Sequence, residues 1–281
     1  MQTLKKYIEA IRTIPIDENL SDDAVIALTN IHLSLMSMFE GDVALHREAM
    51  DKLFAICRKR STSNQSLSRS SRMTPAMYNV LCMPDTVFDD RKHNSCMNRS
   101  FRIAEEWRKK ATVDEKSRIT EYGVLQSIMN AFVYVVDEDT QSDRDFCYLS
   151  QRIAEWSSEL NTDGSWRDVS DYGAVRRLDI MIGYSKTYGD NRFDIQKALR
   201  HYFNKIIRAK GVDSQTLFYL YRTIDPADEH TANRVAERAI QLSEPYKQGS
   251  AEWLWYMAVV IDRECEKINN DIKEKMLAHT A

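Results

Sequence analysis

The sequence has few of the residues that turns require. It contains 8 glycines and 5 prolines in 281 residues, under half of the usual combined share of roughly 12%. Because β-sandwiches and β-barrels depend on many such turns, this scarcity argues against both classes. Hydrophobic residues make up 43% of the chain and charged residues 29%, with a formal net charge of −3. That composition is typical of globular proteins, so we predict a folded, all-α protein.

Cysteine and long apolar runs are also scarce. The five cysteines include no CxxC pair, which favours reduced thiols over a disulfide framework or a zinc site. No apolar run approaches the roughly 18 residues that span a bilayer, and the first 20 residues resemble an amphipathic helix more than a signal peptide. The six histidines show no HExxH spacing, and neither a GxSxG motif nor a phosphate-binding glycine loop is present. These absences predict a cytoplasmic protein with no metal, no cofactor and no membrane partner.

Apolar residues recur with a helical period along the chain. The clearest stretches are 125–136, 146–160, 195–207 and 253–261. Each presents one apolar stripe that must be buried against a neighbour. Six hydroxyl residues resemble N-caps of helices: Ser21, Thr74, Thr120, Ser170, Ser214 and Ser250. Their spacing predicts six helical hairpins, hence twelve helices, with breaks that include Gly41–Asp42 and Gly189–Asp190.

Parts of the sequence repeat at an offset of 50 residues. Arg102–Glu105 is identical to Arg152–Glu155, Ile119–Gly123 matches Val169–Gly173, and a looser third copy starts at Arg234. A single hairpin cannot bury its apolar face, whereas stacked hairpins build one continuous core. The period and the helix count resemble those of HEAT and armadillo solenoids and of closed α/α toroids. We therefore predict one domain of about six antiparallel hairpins, in one of these two arrangements, over all 281 residues.

A tryptophan lies in a polar break between two predicted helices. The segment Asp163–Trp166 reads Asp-Gly-Ser-Trp and resembles the DGSW-type turn of α/α-toroid enzymes, among them polysaccharide lyases and triterpene cyclases. The resemblance implies a substrate cleft at this turn, with Trp166 and Arg177 as ligand-binding residues. It also implies four candidate catalytic residues: Asp168, Asp171, Tyr172 and Arg176. The favoured interpretation is structural, with Trp166 packing between helices because an exposed tryptophan is costly.

Residues 58–72 form a low-complexity segment with five cations, no acid and one apolar residue. Such a composition buries too little apolar surface to fold, so we predict a mobile loop. Deletion of 61–71 is then expected to leave the melting temperature nearly unchanged. The cations of the segment are candidates for binding a partner or a phosphate: Arg58, Lys59, Arg60, Arg69 and Arg72.

Helical repeats provide extended surfaces without any reactive residue. We therefore predict a non-enzymatic scaffold that presents a groove to a protein or peptide partner. One alternative is an α/α-toroid lyase or hydrolase that acts on a carbohydrate-like substrate through the turn 163–171. A second alternative is a nucleic-acid-binding protein, since some HEAT-like proteins excise alkylated bases from DNA, although the basic segment has no interleaved aromatics for base stacking. The enzyme requires Trp166, Asp171, Tyr172 and Arg176 to converge on one pocket, whereas the scaffold leaves them buried in packing or scattered.

Overall fold

The computed structural model describes residues 2–38, 43–81, 90–110, 115–132, 140–188, 195–225 and 227–280. Over these residues the chain forms twelve α-helices and no strand beyond one isolated bridge between Leu160 and Trp166, which confirms the all-α class. The helices are α1 (Gln2–Arg12), α2 (Asp22–Met36), α3 (Val43–Arg60), α4 (Leu67–Leu81), α5 (Asp90–Arg108), α6 (Glu115–Phe132), α7 (Thr140–Ser158), α8 (Asp171–Tyr188), α9 (Gln196–Arg208), α10 (Ser214–Arg222), α11 (Glu229–Ser243) and α12 (Ala251–Thr280). The predicted breaks at Gly41–Asp42 and Gly189–Asp190 lie outside the described residues.

Three of the predicted helix starts are confirmed. Ser21, Ser170 and Ser250 each precede a helix by one residue. Their hydroxyls accept hydrogen bonds from the backbone N–H three residues further on, at 3.2, 3.2 and 3.3 Å respectively. Such a cap satisfies one of the N–H groups that have no partner within the helix. The hydroxyl pattern therefore locates the starts of α2, α8 and α12.

Of the other three, the starts at Thr74 and Thr120 are wrong, whereas Ser214 does begin a helix but does not cap it. Thr74 and Thr120 lie inside α4 and α6, which begin seven and five residues earlier. The Thr74 hydroxyl donates to the carbonyl of Ser70 at 2.8 Å, so it bonds back along its own helix instead of capping it. Ser214 is the first residue of α10, and the cap is Asp213.

The two repeated blocks differ in how well they match in structure. Arg102–Glu105 in α5 and Arg152–Glu155 in α7 occupy equivalent places, since each block ends three residues before its helix does. The second pair of matching blocks, Ile119–Gly123 and Val169–Gly173, does not occupy equivalent places. Thr120 lies inside α6, whereas Ser170 precedes α8. The repeat thus describes the ends of α5 and α7 but not the starts of the helices that follow.

The chain divides into two compact units. Unit 1 contains the described residues up to Ile56 and from Gly211 onward, and unit 2 contains those from Cys57 to Lys210. The last turn of α3 therefore belongs to unit 2. The single domain that the repeat predicts stays a prediction.

In unit 2, the core helices are α6 and α8. α4 packs against α6 and α6 against α8, with α5, α7 and α9 beside them. Ten consecutive residues of α6, 120–129, and nine of α8, 173–181, are buried. By contrast, α9 buries a single stripe of Ala198, Tyr202 and Ile206. A helix that is buried all round needs neighbours on every side, so α6 and α8 form the centre of this unit.

In unit 1, the core helix is α12. It is 30 residues long and packs against α1, α2, α10 and α11. Nine consecutive residues, Trp253–Ile261, are buried. The contact between α2 and α12 joins the first predicted hairpin to the last one.

Candidate functional site

The turn between α7 and α8 has a defined backbone conformation. The Asp163 carboxylate accepts hydrogen bonds from the hydroxyl and the backbone N–H of Ser165, at 2.7 and 2.9 Å, and these bonds lower the pKa of Asp163. Gly164 has a φ of +86°, and a Cβ at this position would lie 2.6 Å from the carbonyl oxygen of Lys197. Only glycine fits such a close approach in the left-handed region. The Asp-Gly-Ser sequence thus brings the turn against the start of α9.

Trp166 points from this turn into the packed interior of unit 2 and is only 4% exposed. Its indole N–H donates to the carbonyl of Trp156 at 2.7 Å, and its backbone N–H donates to the hydroxyl of Tyr202 at 2.9 Å. The rings of Trp166 and Tyr202 stack with centroids 5.7 Å apart. Burial raises the pKa of Tyr202, so its hydroxyl is protonated over the whole neutral range. The polar groups of Trp166 are therefore bonded within the protein.

Arg177 lies beside the same aromatic side chains. Its guanidinium is 5.2 Å from the ring centroid of Trp156 and 5.5 Å from that of Trp166. It also pairs with Glu159, at 2.8 Å between Nη1 and Oε2, and the residue is 4% exposed. Cations over indole faces stabilise packing, more strongly when water is excluded. The two predicted ligand-binding residues thus contact each other.

The four candidate catalytic residues lie in different surroundings. Asp171 pairs with Lys205 at 2.6 Å, and Arg176 is buried and pairs with Asp179 at 3.3 Å. Neither Asp171 nor Arg176 lines the cleft that contains the other two candidates.

That cleft contains Asp168 and Tyr172. Arg118, Ile119 and Tyr122 of α6 line its other side, and its volume is about 60 Å³. Sites for small molecules usually measure roughly 300–1,000 Å³. The cleft is therefore too small to enclose a sugar ring.

The basic segment 58–72 is mostly helical, so the predicted loop is wrong over most of its length. Residues 58–60 form the last turn of α3, and 67–72 form the start of α4. The side chains of Arg60, Ser61 and Ser70 are buried. A serine can be buried here because its hydroxyl donates to a nearby carbonyl, as the Ser61 hydroxyl does to the carbonyl of Arg58. Deletion of 61–71 would remove a turn of α4, so this deletion is not expected to leave the melting temperature unchanged.

Two arginines of α5 complete this basic region, and neither is predicted from the sequence. Arg99 donates to the Ser61 hydroxyl at 2.7 Å and to the Arg58 carbonyl at 3.2 Å. Arg102 donates to the Ser61 carbonyl at 2.7 Å. The pKa of Arg99 is lowered by burial first and then by the neighbouring charges of Arg102 and Arg58. The repeat singles out Arg102 in the sequence, because Arg152 is the equivalent residue of the second copy.

Arg152 has a different role. It donates through Nε to the buried carboxylate of Glu121 at 2.8 Å, and Glu121 also accepts from Tyr148 at 2.8 Å. Tyr148 in turn accepts from the indole N–H of Trp107 at 2.7 Å. Burial, and then the charge of Glu121, raise the pKa of Tyr148. The network connects α5, α6 and α7 and satisfies a buried charge, which is a structural role.

Unit 1 buries titratable groups of its own. His32 and His46 face each other with 3.0 Å between their Nδ1 atoms, and burial lowers the pKa of His32 to about 3. Ser34 donates to Asp262 at 2.8 Å, while burial raises the pKa of Asp262 to about 6. At neutral pH, His32 is therefore uncharged and Asp262 is a half-buried carboxylate.

Within the part of the chain that the structure describes, no three His, Cys, Asp or Glu side chains are close enough to hold a metal ion. None of its described helices is both long and apolar enough to cross a membrane. No family model, no curated protein and no solved structure matches this chain. The function is therefore inferred from the geometry of the described residues.

Proposed function

We propose that the chain is a helical-repeat binding protein that presents its surface to a protein or peptide partner. The observation that carries the proposal is the burial of Trp166 and Arg177, which are each 4% exposed and bonded to groups of the protein. Both residues stabilise the packing of α7, α8 and α9, which leaves the turn without an exposed aromatic ring for a sugar. The scattered candidate catalytic residues and the small cleft support the same interpretation.

The helix packing supports the repeat framework of this proposal. In unit 2 the even-numbered helices pack in a row, and in unit 1 α12 packs against α2. Both an open solenoid and a closed toroid are built from such rows of buried helices. Among the described residues, Cys57, Cys96 and Cys265 are buried thiols. Reduced thiols of this kind support a cytoplasmic location.

Two measurements test the proposal. The first is cross-linking in cells, then affinity capture of the tagged chain, then calorimetry with each captured candidate after purification. We expect at least one protein to bind saturably with a micromolar or lower Kd.

The second measurement is an activity assay on neutral and acidic polysaccharides. We expect no turnover. Cleavage by the wild-type chain that Tyr172→Phe or Asp168→Asn abolishes, while Asp163→Asn leaves it intact, would establish the enzyme and overturn the proposal.

A further inference from the structure

Charge is distributed unevenly along the chain. Residues 57–210 contain 26 Lys and Arg against 21 Asp and Glu, whereas the rest of the chain contains 13 against 21. Unit 2 is therefore basic and unit 1 acidic, although the whole chain is close to neutral. Two stretches of unit 2, residues 58–81 and 91–104, contain no acid, and Glu106, just after the second stretch, pairs with Arg102 at 2.6 Å. The structure brings cations from both stretches together.

These cations form what we call the arginine face: Arg58, Lys59, Arg69, Arg99 and Arg102. Arg58 and Lys59 are exposed, and the other three are half-buried. Hydrogen bonds from Arg99 and Arg102 to Ser61 and to the Arg58 carbonyl connect α5 to the end of α3. Arg102 also donates to the hydroxyl of Ser70, the residue after Arg69, at 3.4 Å, so residues of three helices meet here.

Hydrogen bonds hold several of these side chains in place. Arg99 also donates to the carbonyl and the hydroxyl of Ser95, and Arg69 donates to Gln65 at 3.2 Å. Side chains that are already ordered lose less conformational entropy when they bind a ligand. Burial first, and then the like charges of Arg102 and Arg58, lower the pKa of Arg99. An anion at this surface would relieve that repulsion.

We propose that the arginine face binds an acidic segment, rich in Asp and Glu, of the protein partner. This inference rests on the proposed function, because it names the chemistry of that partner. Planar guanidinium groups match carboxylates through paired hydrogen bonds, which gives geometric specificity as well as attraction. A peptide is favoured over a nucleic acid because single-stranded nucleic acids need aromatic platforms for base stacking. The one exposed aromatic residue among the described large hydrophobics is Tyr246, which lies in unit 1.

The test is fluorescence anisotropy with a fluorescein-labelled deca-glutamate peptide and the full chain. We expect the variant Arg58→Glu/Lys59→Glu/Arg69→Glu to weaken binding at least tenfold, and wild-type binding to weaken as salt rises. The matched control is Lys197→Glu/Arg200→Glu/Arg208→Glu, which makes the same charge change at exposed positions of α9 in the same unit. This control is expected to weaken binding less than threefold.

Several outcomes would overturn the inference. Equal weakening by both variants would show attraction to net charge alone, and no weakening by either would show that the face is not used. Tighter binding of a 20-nucleotide single-stranded DNA, lost in the same variant, would assign the face to nucleic acid. Circular dichroism must show wild-type helicity in each variant, and Arg58→Gln/Lys59→Gln/Arg69→Gln gives a milder second test.

The captured partner separates this inference from the proposed function. If the partner binds the charge-reversed variant as tightly as the wild-type chain, the arginine face is not its site, but the binding function stands. If the chain proves to be an enzyme, the binding function fails, while the deca-glutamate result still decides the role of the face.

Discussion

In unit 2, the helices that contain glycine are the buried ones: Gly123 lies in α6, and Gly173 and Gly183 lie in α8. The described helices of unit 1 contain no glycine, and three consecutive large side chains, Leu254, Trp255 and Tyr256, are buried in α12 instead. At Gly123 a backbone of unit 2 is closely approached by that of another helix, and Gly173 and Gly183 leave room for side chains, whereas unit 1 fills the space between helices with large side chains. The two units should respond differently to substitutions of small residues.

The units also differ in how they bury charge. In unit 2, the buried carboxylate of Glu121 accepts hydrogen bonds from Arg152 and Tyr148. In unit 1, the neutral hydroxyl of Ser34 donates to Asp262, and burial dominates the pKa shift of this carboxyl. A buried charge costs less stability when an opposite charge lies beside it than when its main partner is a neutral group. The stability of unit 1 should therefore depend more strongly on pH between about pH 4 and pH 6.

The largest effects are expected from Gly123→Ala and from Trp166→Ala. A Cβ at this position would lie 2.3 Å from the Ser71 carbonyl oxygen of α4. Pro75, four residues after Ser71, has no N–H to donate to that carbonyl, which explains why another helix can approach it closely. We expect the free energy of unfolding in urea to fall by at least about 3 kcal/mol, because backbone must move on one side of the contact.

The control for Gly123→Ala is Gly211→Ala. No atom lies within 4 Å of a Cβ at Gly211, so the change should be below about 0.5 kcal/mol. Similar losses in the two variants would contradict packing by close approach in unit 2.

Trp166→Ala is expected to lower the free energy of unfolding by about 3–5 kcal/mol, since the ring is buried against Tyr202 and Trp156. Trp166→Phe keeps an aromatic ring but loses the hydrogen bond to the Trp156 carbonyl, so a loss of about 1–2 kcal/mol is expected. The matched aromatic in unit 1 is Tyr246, which is 40% exposed. Tyr246→Ala should cost about 1 kcal/mol or less. An unchanged thermal melt in Trp166→Ala would favour a ligand-binding role for the ring.

Asp262→Asn should stabilise the protein at high pH. The pKa of Asp262 is about 6 in the folded state against an ordinary value of 3.8. Its contribution to stability is therefore fully present below pH 3.8 and is lost as the pH rises through 6. At pH 8 the wild-type protein holds a half-buried carboxylate that the variant lacks, so the variant should gain about 1–3 kcal/mol in urea unfolding. The gain should shrink as the pH falls toward 4.

Glu121→Gln in unit 2 is the opposing control for Asp262→Asn. It removes the charge that Arg152 contacts, so the free energy of unfolding at pH 8 should fall by about 2 kcal/mol or more. A gain in both variants would show that the two units bury charge in the same way.

The sequence predicts the helices of this protein best where one face is apolar. The stripe of Ala198, Tyr202 and Ile206 locates α9, because its other faces are polar. The start of α6 is harder to predict, since the ten consecutive buried residues from Thr120 onward give no contrast between faces. Hydrophobic periodicity therefore identifies outer helices more easily than core helices.

The candidate site was less predictable, because its partners are distant in sequence. The start of α4 has the composition of a loop, and part of its polar surface is satisfied by Arg102, which donates to the Ser70 hydroxyl at 3.4 Å. Trp166 was correctly identified as an unusual residue in a turn, but its partner Tyr202 lies 36 residues away. Composition and spacing report local chemistry, whereas these contacts depend on tertiary packing.

The smallest effect is expected from Asp171→Asn, at a residue that a toroid enzyme would use for catalysis. Asp171 pairs with Lys205 at 2.6 Å on the surface of unit 2, and the Lys205 side chain is 54% exposed. Exposed pairs of this kind contribute about 0–1 kcal/mol. A double-mutant cycle with Lys205→Gln, measured by urea unfolding in low and high salt, should therefore give a coupling energy below about 1 kcal/mol that decreases with salt. A larger coupling that salt does not change would show that Asp171 lies in a desolvated site, which is the environment that the enzyme alternative requires.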